Sequence, residues 1–402
     1  MWSDAELPPW VFIAWFALLG AALGSFLNVC ILRWGAEPKQ SVMHPPSRCP
    51  RCGHEIRWYE NIPIFSWLFL RGRCSGCGLP ISPMYPAIEA ATALIWGGAV
   101  ALLGPTLVAL QLAVASTLLL GIAVSDSRAF IIPHEFSIGG TALALAFAAW
   151  PDPAGLADAL RGALFGAGLV LLVGELTELA LGQEAMGGGD CALMGMVGAF
   201  FGWESVWPVL ALGAFVGIVL HVAASLRRGR GPEPSAGDQQ TTAVSPGLRW
   251  RRVFVLIAGG LVLGGLMGVA VHAGVIGSVL RTIFHGTLGA GAAYYLSFMV
   301  PKRVLHGPIA QVWGLLGAAV GIMIGSAGWG SLMLGIGLGA GALALARRRT
   351  VEASPENTEE LSAHGYLPFG VGLSIAAILL GFTGGFERVR EIFAEIAPGL
   401  GL

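Results

Sequence analysis

Four cysteines with paired spacing are the clearest chemical signal in this chain. Cys49 and Cys52 form one C-x2-C pair, Cys74 and Cys77 form a second, and 21 residues separate the two pairs. Four thiolates supply the complete tetrahedral shell of a structural zinc site and leave no ligand position open for catalysis. We therefore predict that this segment binds zinc or another thiophilic metal. Two redox-active pairs are the alternative, but no strand–helix pattern typical of a thioredoxin-like unit surrounds them.

Two aspartates at the ends of apolar segments are the candidates for catalysis. Asp126 closes the third apolar segment, and Asp190 opens the sixth in the run MGGGDCALMG. Two predicted spans, at about 135–150 and 156–181, lie between them, so the chain returns both carboxylates to the same side of a membrane. Two carboxyl groups that share a proton can act as acid and base, and can activate a water molecule for attack on a peptide carbonyl.

Each aspartate also has a structural interpretation. Either one could be a water-exposed residue at a helix end, and Asp190 in particular could cap the helix that follows it. Three glycines precede it, Gly187, Gly188 and Gly189, and they would let the backbone come close to a bound peptide strand. The glycine run is not a phosphate-binding loop, because no Gly-Lys-Ser/Thr sequence follows it.

The composition is typical of a membrane protein. Of the 402 residues, 55% are hydrophobic, only 12% are charged and 60 are glycine, whereas soluble domains carry about 25% charged residues. Glycine is abundant where helices approach each other closely within a bilayer. We predict an all-α polytopic membrane protein with the lipid bilayer as its surroundings. The net charge of -1 argues against a nucleic-acid partner.

Twelve apolar segments are candidate spans, given that a spanning helix needs about 20 apolar residues. They lie at about 10–32, 86–104, 106–125, 135–150, 156–181, 191–204, 206–226, 252–274, 276–300, 307–327, 329–346 and 366–384. Segment 33–85 carries seven Lys or Arg residues against three Glu. Because basic loops stay on the cytoplasmic side, we predict that this segment is cytoplasmic and the N-terminus lies outside.

These features predict seven consecutive parts of the chain. They are a first transmembrane helix (1–32), a cytoplasmic zinc-binding loop (33–85), a catalytic transmembrane core (86–226), a cytoplasmic linker (227–251), inserted transmembrane helices of unknown role (252–346), a cytoplasmic acidic linker (347–364), and a last transmembrane helix with an amphipathic tail (365–402).

Five motifs together carry a family resemblance that covers residues 10–226 and 365–384. They are Gly24-Ser25-Phe26-Leu27-Asn28-Val29 with Arg33, the cysteine loop 47–89, Asp126 with Ile132-Pro133, Gly187-Gly188-Gly189-Asp190, and Leu367-Pro368-Phe369-Gly370. In these motifs the chain resembles the bacterial prepilin peptidases, the type IV leader peptidases of the GxGD class of membrane aspartyl proteases.

The resemblance implies a function, a location and a pair of catalytic residues. It implies cleavage of the leader peptides of type IV prepilins and type II secretion pseudopilins, after a glycine, at the cytoplasmic face of the bacterial inner membrane. It implies Asp126 and Asp190 as the catalytic pair and the four cysteines as zinc ligands. Many members of the family also N-methylate the new N-terminal residue with S-adenosylmethionine, which would be a second cofactor.

Two departures from the family pattern leave a different class of function open. His134 stands where the family usually has Asp, and Ala192 where it often has Lys. Together with the inserted spans at 252–346, they are the support for an alternative function. In that alternative the protein is a non-catalytic zinc-binding scaffold, or a transporter-like module, derived from a peptidase.

Overall fold

The structure is a computed structural model, and it describes residues 7–36, 39–150, 154–181, 186–228, 369–388 and 390–391. The predicted spans within 252–346 and the acidic linker 347–364 lie outside the described residues, as does nearly all of the linker 227–251. In the described ranges the chain is helical, and two isolated antiparallel bridges, Arg48–Glu55 and Arg73–Pro80, are the only extended pairings. The predicted all-α fold class is therefore confirmed.

Nine α-helices make up the described part of the chain. They are α1 (Pro9–Trp34), α2 (Phe65–Phe69), α3 (Met84–Leu103), α4 (Leu107–Ala129), α5 (His134–Ala148), α6 (Ala154–Leu181), α7 (Gly188–Phe201), α8 (Val206–Arg228) and α9 (Phe369–Phe382). Among the described residues, five helical segments are long and apolar enough to cross a membrane, within α1, α3, α4, α6 and the segment Trp203–Leu220. The chain is a polytopic integral membrane protein.

Close glycine contacts fix the helix that carries Asp190. At Gly162 of α6 an added Cβ would overlap the carbonyl oxygen of Gly198 in α7, and at Gly166 it would overlap that of Met194. Such small-residue spacing lets two helix backbones touch within a membrane. These contacts fix the position of α7 along α6, and they therefore also fix the position of Asp190 in the first turn of α7.

Helix α9 follows the long undescribed stretch and packs beside α4 and α8. The backbone of Gly372 lies so close to Gly213 of α8 that a Cβ there would overlap the Gly213 carbonyl oxygen. Leu373 is fully buried in the same contact. The N-terminal end of α9 is thereby brought next to the end of α4, where Asp126 lies.

Helix α4 runs further than the apolar pattern predicts. The predicted span ends at residue 125, but the helix continues to Ala129 and ends where Phe130 adopts a left-handed conformation, with φ 53°. The Phe130 amide closes the last turn by donating to the Asp126 carbonyl oxygen at 2.9 Å. Polar residues can continue a helix when its backbone hydrogen bonds are formed. Asp126 therefore lies within the last turn of α4 and not after the end of the helix.

Candidate active site and metal centre

Asp126 is a buried carboxylate with a backbone donor from a distant part of the chain. Its side chain is in the last turn of α4, and the residue is only 5% exposed. Its Oδ2 accepts a hydrogen bond from the Val371 amide at 3.1 Å. Val371 belongs to the first turn of α9, where helix N–H groups have no partner within the helix and favour an anion.

Asp190 is the third residue of α7 and is 9% exposed. Its Oδ2 accepts a hydrogen bond from the Gly187 amide at 3.2 Å, so this carboxylate does cap its own helix. Its Oδ1 is buried and accepts no hydrogen bond from any described residue. The cap therefore occupies one oxygen and orients the other, which is available to a water molecule or a substrate.

The two carboxylates belong to one site. Gly189 directly precedes Asp190 in α7, and a Cβ at Gly370 of α9 would lie 2.6 Å from Oδ2 of Asp126. The Ile132 side chain lies between these two glycines. A Cβ added at Gly189 would lie 2.9 Å from the Ile132 side chain, and so would a Cβ added at Gly370. The site thus consists of two acidic groups against an apolar wall, assembled from α4, α7, α9 and the connection between α4 and α5.

The three glycines before Asp190 have different surroundings. Gly187 and Gly188 are exposed, and a Cβ at Gly188 would meet no atom within 4 Å. Gly189 instead packs on Ile132. The predicted approach of a substrate backbone is therefore open at the first two positions, whereas the third lacks a side chain because Ile132 fills the space.

The four loop cysteines converge on one point. All four Sγ atoms lie within 4.8 Å of one another, and those of Cys52 and Cys74 are 3.9 Å apart. A tetrahedral site with Zn–S bonds of about 2.3 Å requires sulfur atoms about 3.8 Å apart. The described cysteine loop contains no disulfide among these four residues, and the arrangement fits a metal ion.

Each C-x2-C pair is built as the same tight turn. Gly53 and Gly78 follow the second cysteine of their pairs with φ of 74° and 70°, a conformation that suits glycine. Their amides return to the carbonyl oxygens of Cys49 and Cys74 at 2.9 and 2.8 Å. Backbone hydrogen bonds from Arg51 and Cys52 lower the pKa of the Cys49 thiol to about 6, whereas burial and hydrogen bonds with the other three thiols raise the pKa of Cys52 to about 11, so Cys49 is the first of this pair to become a thiolate.

His54 joins the two turns instead of completing a metal shell. Its Nε2 lies 3.0 Å from the Ser75 hydroxyl in the second turn and 3.1 Å from the Glu60 carboxylate. The four thiols need no fifth ligand, so this imidazole is free to connect the turns to the following residues.

Comparisons with known proteins place the chain in a family. Residues 18–103 match the model of the Bacterial Peptidase A24 N-terminal domain, and residues 113–222 match the model of the Type IV leader peptidase family. The first match contains the cysteine loop, and the second contains both aspartates. The chain belongs to the type IV leader peptidase family.

Curated relatives agree with this assignment. The chain is 37% identical over 265 residues to a prepilin leader peptidase/N-methyltransferase of Myxococcus xanthus, a match that covers 61% of this chain and 77% of the relative. A protein of the same name from Pseudomonas aeruginosa is 37% identical over 235 residues, a match that covers 53% of this chain and 81% of the relative. Another from Burkholderia pseudomallei (strain 1026b) is 33% identical over 254 residues, which covers 57% of this chain and 82% of the relative. No solved structure matches the chain.

Two contributors to the site have no predicted role in the sequence. Ile132 and Gly370 stand in motifs that carry the family resemblance, but neither side chain is chemically reactive. The Val371 amide is invisible to any side-chain pattern, since its hydrogen bond to Asp126 spans 245 residues. Only the position of the last motif could have indicated that α9 belongs at the site.

Proposed function

We propose that this protein is a membrane aspartyl endopeptidase that removes the leader peptide from type IV prepilins and type II secretion pseudopilins, after a glycine. The observation that carries the proposal is the pair of buried carboxylates, Asp126 and Asp190, meeting in one site at the ends of α4 and α7. Membership of the type IV leader peptidase family supports it. The names of the relatives support prepilins as the substrate class.

The arrangement supplies the parts of water-mediated peptide hydrolysis. In our proposal one carboxylate accepts a proton from a water molecule as that water attacks the scissile carbonyl carbon. The other, protonated, carboxyl donates to the leaving amine. The Val371 amide donates to Oδ2 of Asp126 and orients that carboxyl group, whereas Oδ1 of Asp190 has no described donor and can face the water.

We further propose that the site faces the cytoplasm across the bacterial inner membrane, with the N-terminus in the periplasm. The basic residues of segment 33–85 support this orientation. A prepilin carries its leader in the cytoplasm and an apolar helix in the bilayer, and a site at the membrane surface can meet both. In this scheme 86–226 is the catalytic core, and α9 from the last part of the chain completes it.

Cleavage of a prepilin in membranes tests the proposal. Asp126→Asn and Asp190→Asn should each lower the cleavage rate by about 100-fold or more, the usual contribution of a positioned acid or base. Asp158→Asn is the control, because its exposed carboxylate pairs with Arg161 on the surface of α6. Retention of full cleavage by either active-site variant, in protein present at normal amounts, would rule out the assignment.

A second activity is favoured by the relatives' names, which join the peptidase to an N-methyltransferase. We propose that the protein also methylates the new N-terminal amine of the mature pilin, with S-adenosylmethionine as the methyl donor. Transfer of labelled methyl to a pre-cleaved pilin should survive Asp126→Asn and Asp190→Asn. Absence of transfer by the unaltered protein would remove this activity while leaving the peptidase intact.

We propose zinc as the metal of the tetracysteine site, in a structural role. Cys49, Cys52, Cys74 and Cys77 would be its ligands, and a shell of four thiolates leaves no position for a catalytic water. The scaffold alternative has no support from the described residues. Ala192 is fully buried within α7 and His134 begins α5, so neither departure replaces one of the two acidic groups.

A further inference from the structure

Residues 58–70 form a short aromatic loop whose apolar side chains point outward. Trp58 is 81% exposed and Phe69 is 84% exposed, and Phe65 and Leu68 are also exposed. The polar Ser66 is instead buried, and its hydroxyl accepts from the Ile62 amide and donates to a backbone carbonyl. A loop with polar groups inside and aromatic groups outside is the reverse of what a water-exposed loop requires.

Two hydrogen bonds fix this aromatic loop alongside the transmembrane helices. The Ile64 amide donates to the Glu89 carboxylate of α3 at 2.7 Å. The Ser25 hydroxyl of α1 donates to Asn61 at 3.4 Å. Glu89 is itself buried, so the first of these contacts joins the loop to the helix bundle and not to its outer rim.

The positions of these anchors set the depth of the aromatic loop. Ser25 lies nine residues before the end of α1 and Glu89 lies five residues after the start of α3, which correspond to about 13 Å and 8 Å along the helix axes at 1.5 Å per residue. Each polar layer of a bilayer is about 5 to 8 Å thick. The loop is therefore level with the boundary between headgroups and hydrocarbon.

The catalytic candidates lie near the same level. Arg128, at the end of α4, contacts Met84 at the start of α3. Glu89 is five residues further along α3 than Met84, and Asp126 is two residues before Arg128 along α4. The contact on Glu89 is consequently at least as deep in the membrane as the carboxylate of Asp126.

Charge around the loop complements an acidic lipid surface. Residues 39–83 carry six basic and two acidic side chains. The guanidinium of Arg57 lies 5.9 Å from the centre of the Tyr59 ring, so a cation sits directly beside the aromatic groups. Aromatic residues with adjacent arginines are typical of segments that bind at the membrane interface, where basic residues are attracted to acidic lipid.

We infer that residues 58–70 are an interfacial membrane-binding loop, which inserts Trp58, Phe65 and Phe69 among acidic phospholipids. The partner is the lipid of the surrounding bilayer. Loop insertion would fix the tetracysteine turns on the membrane surface through His54 and Glu60, which connect them to the start of the aromatic loop. This interaction is independent of the proposed cleavage and methylation.

Photocrosslinking in lipid nanodiscs tests the inference. The photoreactive residue p-benzoylphenylalanine would replace Phe69 in the full chain, in nanodiscs of phosphatidylglycerol and phosphatidylcholine. Met43 is the matched control, since it is 75% exposed in the same segment 33–85. Its segment is tied to the end of α1 by hydrogen bonds from Arg33 to the carbonyl oxygens of Ser41 and Pro45, and is therefore held further from the hydrocarbon.

Mass spectrometry of the adducts separates the outcomes. We expect several-fold more lipid adduct at position 69 than at position 43, with phosphatidylglycerol enriched above its share of the lipid. Equal labelling at the two positions, or no enrichment of phosphatidylglycerol, would overturn the inference. Crosslinks from position 69 to pilin or to a second copy of the chain, in place of lipid, would also overturn it. Unchanged cysteine-bound metal and prepilin cleavage in both variants would show that the labelled proteins are folded.

Discussion

The Asp126 carboxylate lies against the backbone at the start of α9. Its donor is the Val371 amide, and the neighbouring Gly370 leaves the space that the carboxylate fills. A glycine at this position is required by contact and not by backbone conformation, since a Cβ would lie 2.6 Å from Oδ2 of Asp126. The position of the Asp126 carboxylate thus depends on the absence of a side chain at Gly370.

Gly370→Ala should lower prepilin cleavage by about tenfold or more, because displacement of a catalytic group by about 1 Å can cost up to 100-fold in rate. Cleavage of a prepilin in membranes measures the effect. Gly139→Ala is the matched control, because a Cβ at Gly139 of α5 would meet no atom within 4 Å. Normal cleavage by Gly370→Ala would show that the carboxylate is not confined there.

The reactive groups of the site could be predicted from the sequence, but their surroundings could not. Two intervening predicted spans return Asp126 and Asp190 to one side, so the sequence predicts them as a pair. In the structure the glycine next to Asp190 and the glycine that contacts Asp126 both lie against Ile132, and the catalytic role of the pair stays a prediction. The wall formed by Ile132 and the donor at Val371 depend on contacts between residues far apart in the chain. Periodicity and spacing carry no information about such contacts, so these residues emerge only from the fold.

The crossing of α6 and α7 determines where Asp190 lies. Gly162 and Gly166 bring the backbone of α6 into contact with that of α7. The Asp190 carboxylate caps the N-terminus of α7, so this helix begins at the site. Any side chain at these glycines must separate the helices, because the obstructing atoms are backbone atoms that no rotamer change can move.

Gly166→Ala should destabilise the protein by about 1 to 3 kcal/mol, the usual cost of overpacking a core. A lower unfolding temperature in detergent, with reduced cleavage, is the expected result. Gly217→Ala on α8 provides the comparison, since its Cβ would have free space and alanine gains up to about 1 kcal/mol over glycine in a helix. Equal unfolding temperatures for the two variants would contradict the close α6–α7 contact.

The cysteine loop should contain one metal ion for each chain. Cys52→Ala removes a ligand whose Sγ lies 3.9 Å from that of Cys74, so we expect the bound zinc to be lost during purification, as measured by elemental analysis. Cys30→Ala should keep its zinc, because Cys30 is buried in α1 away from the four-cysteine cluster. Full zinc content in Cys52→Ala would exclude the four-thiolate shell.

The helices that form the site come from two separate parts of the chain. Helices α1 to α8 come from one continuous stretch, whereas α9 returns after residues 229–368. The family models cover 18–103 and 113–222 and do not reach the region 252–346. The sequence predicts four spans there, an even number, so their removal would leave α9 entering the membrane from its original side.

Deletion of residues 252–346 should therefore preserve prepilin cleavage, whereas truncation after residue 228 should abolish it. The truncated chain loses the Val371 amide and the backbone that packs against Asp126. Assays in membranes, with protein amounts matched by immunoblot, distinguish the two. Loss of cleavage in the deletion variant, despite normal amounts and bound zinc, would show that the inserted region is needed at the site.

The apolar runs of the sequence predict eight of the nine described helices, and the exception is the short helix α2, which lies within the predicted cysteine loop. Seven of the predicted spans correspond to α1 and α3 through α8, and the last corresponds to α9. The errors are at the ends, most clearly at α4, where polar residues continue the helix to Ala129. The apolar content of a segment indicates which residues lie in the lipid bilayer. The residue at which a helix ends depends instead on local backbone conformation, such as the left-handed conformation of Phe130.

The hydrogen bond from Val371 to Asp126 also has a consequence for timing. Its two residues are 245 positions apart, and a ribosome adding about 5 to 20 residues each second needs about 12 to 50 seconds to make the intervening chain. Both aspartates are in the membrane well before α9 is synthesised. A growing chain would hold two acidic groups without their last partner for that interval, so a protease of this design becomes active only after α9 has been synthesised.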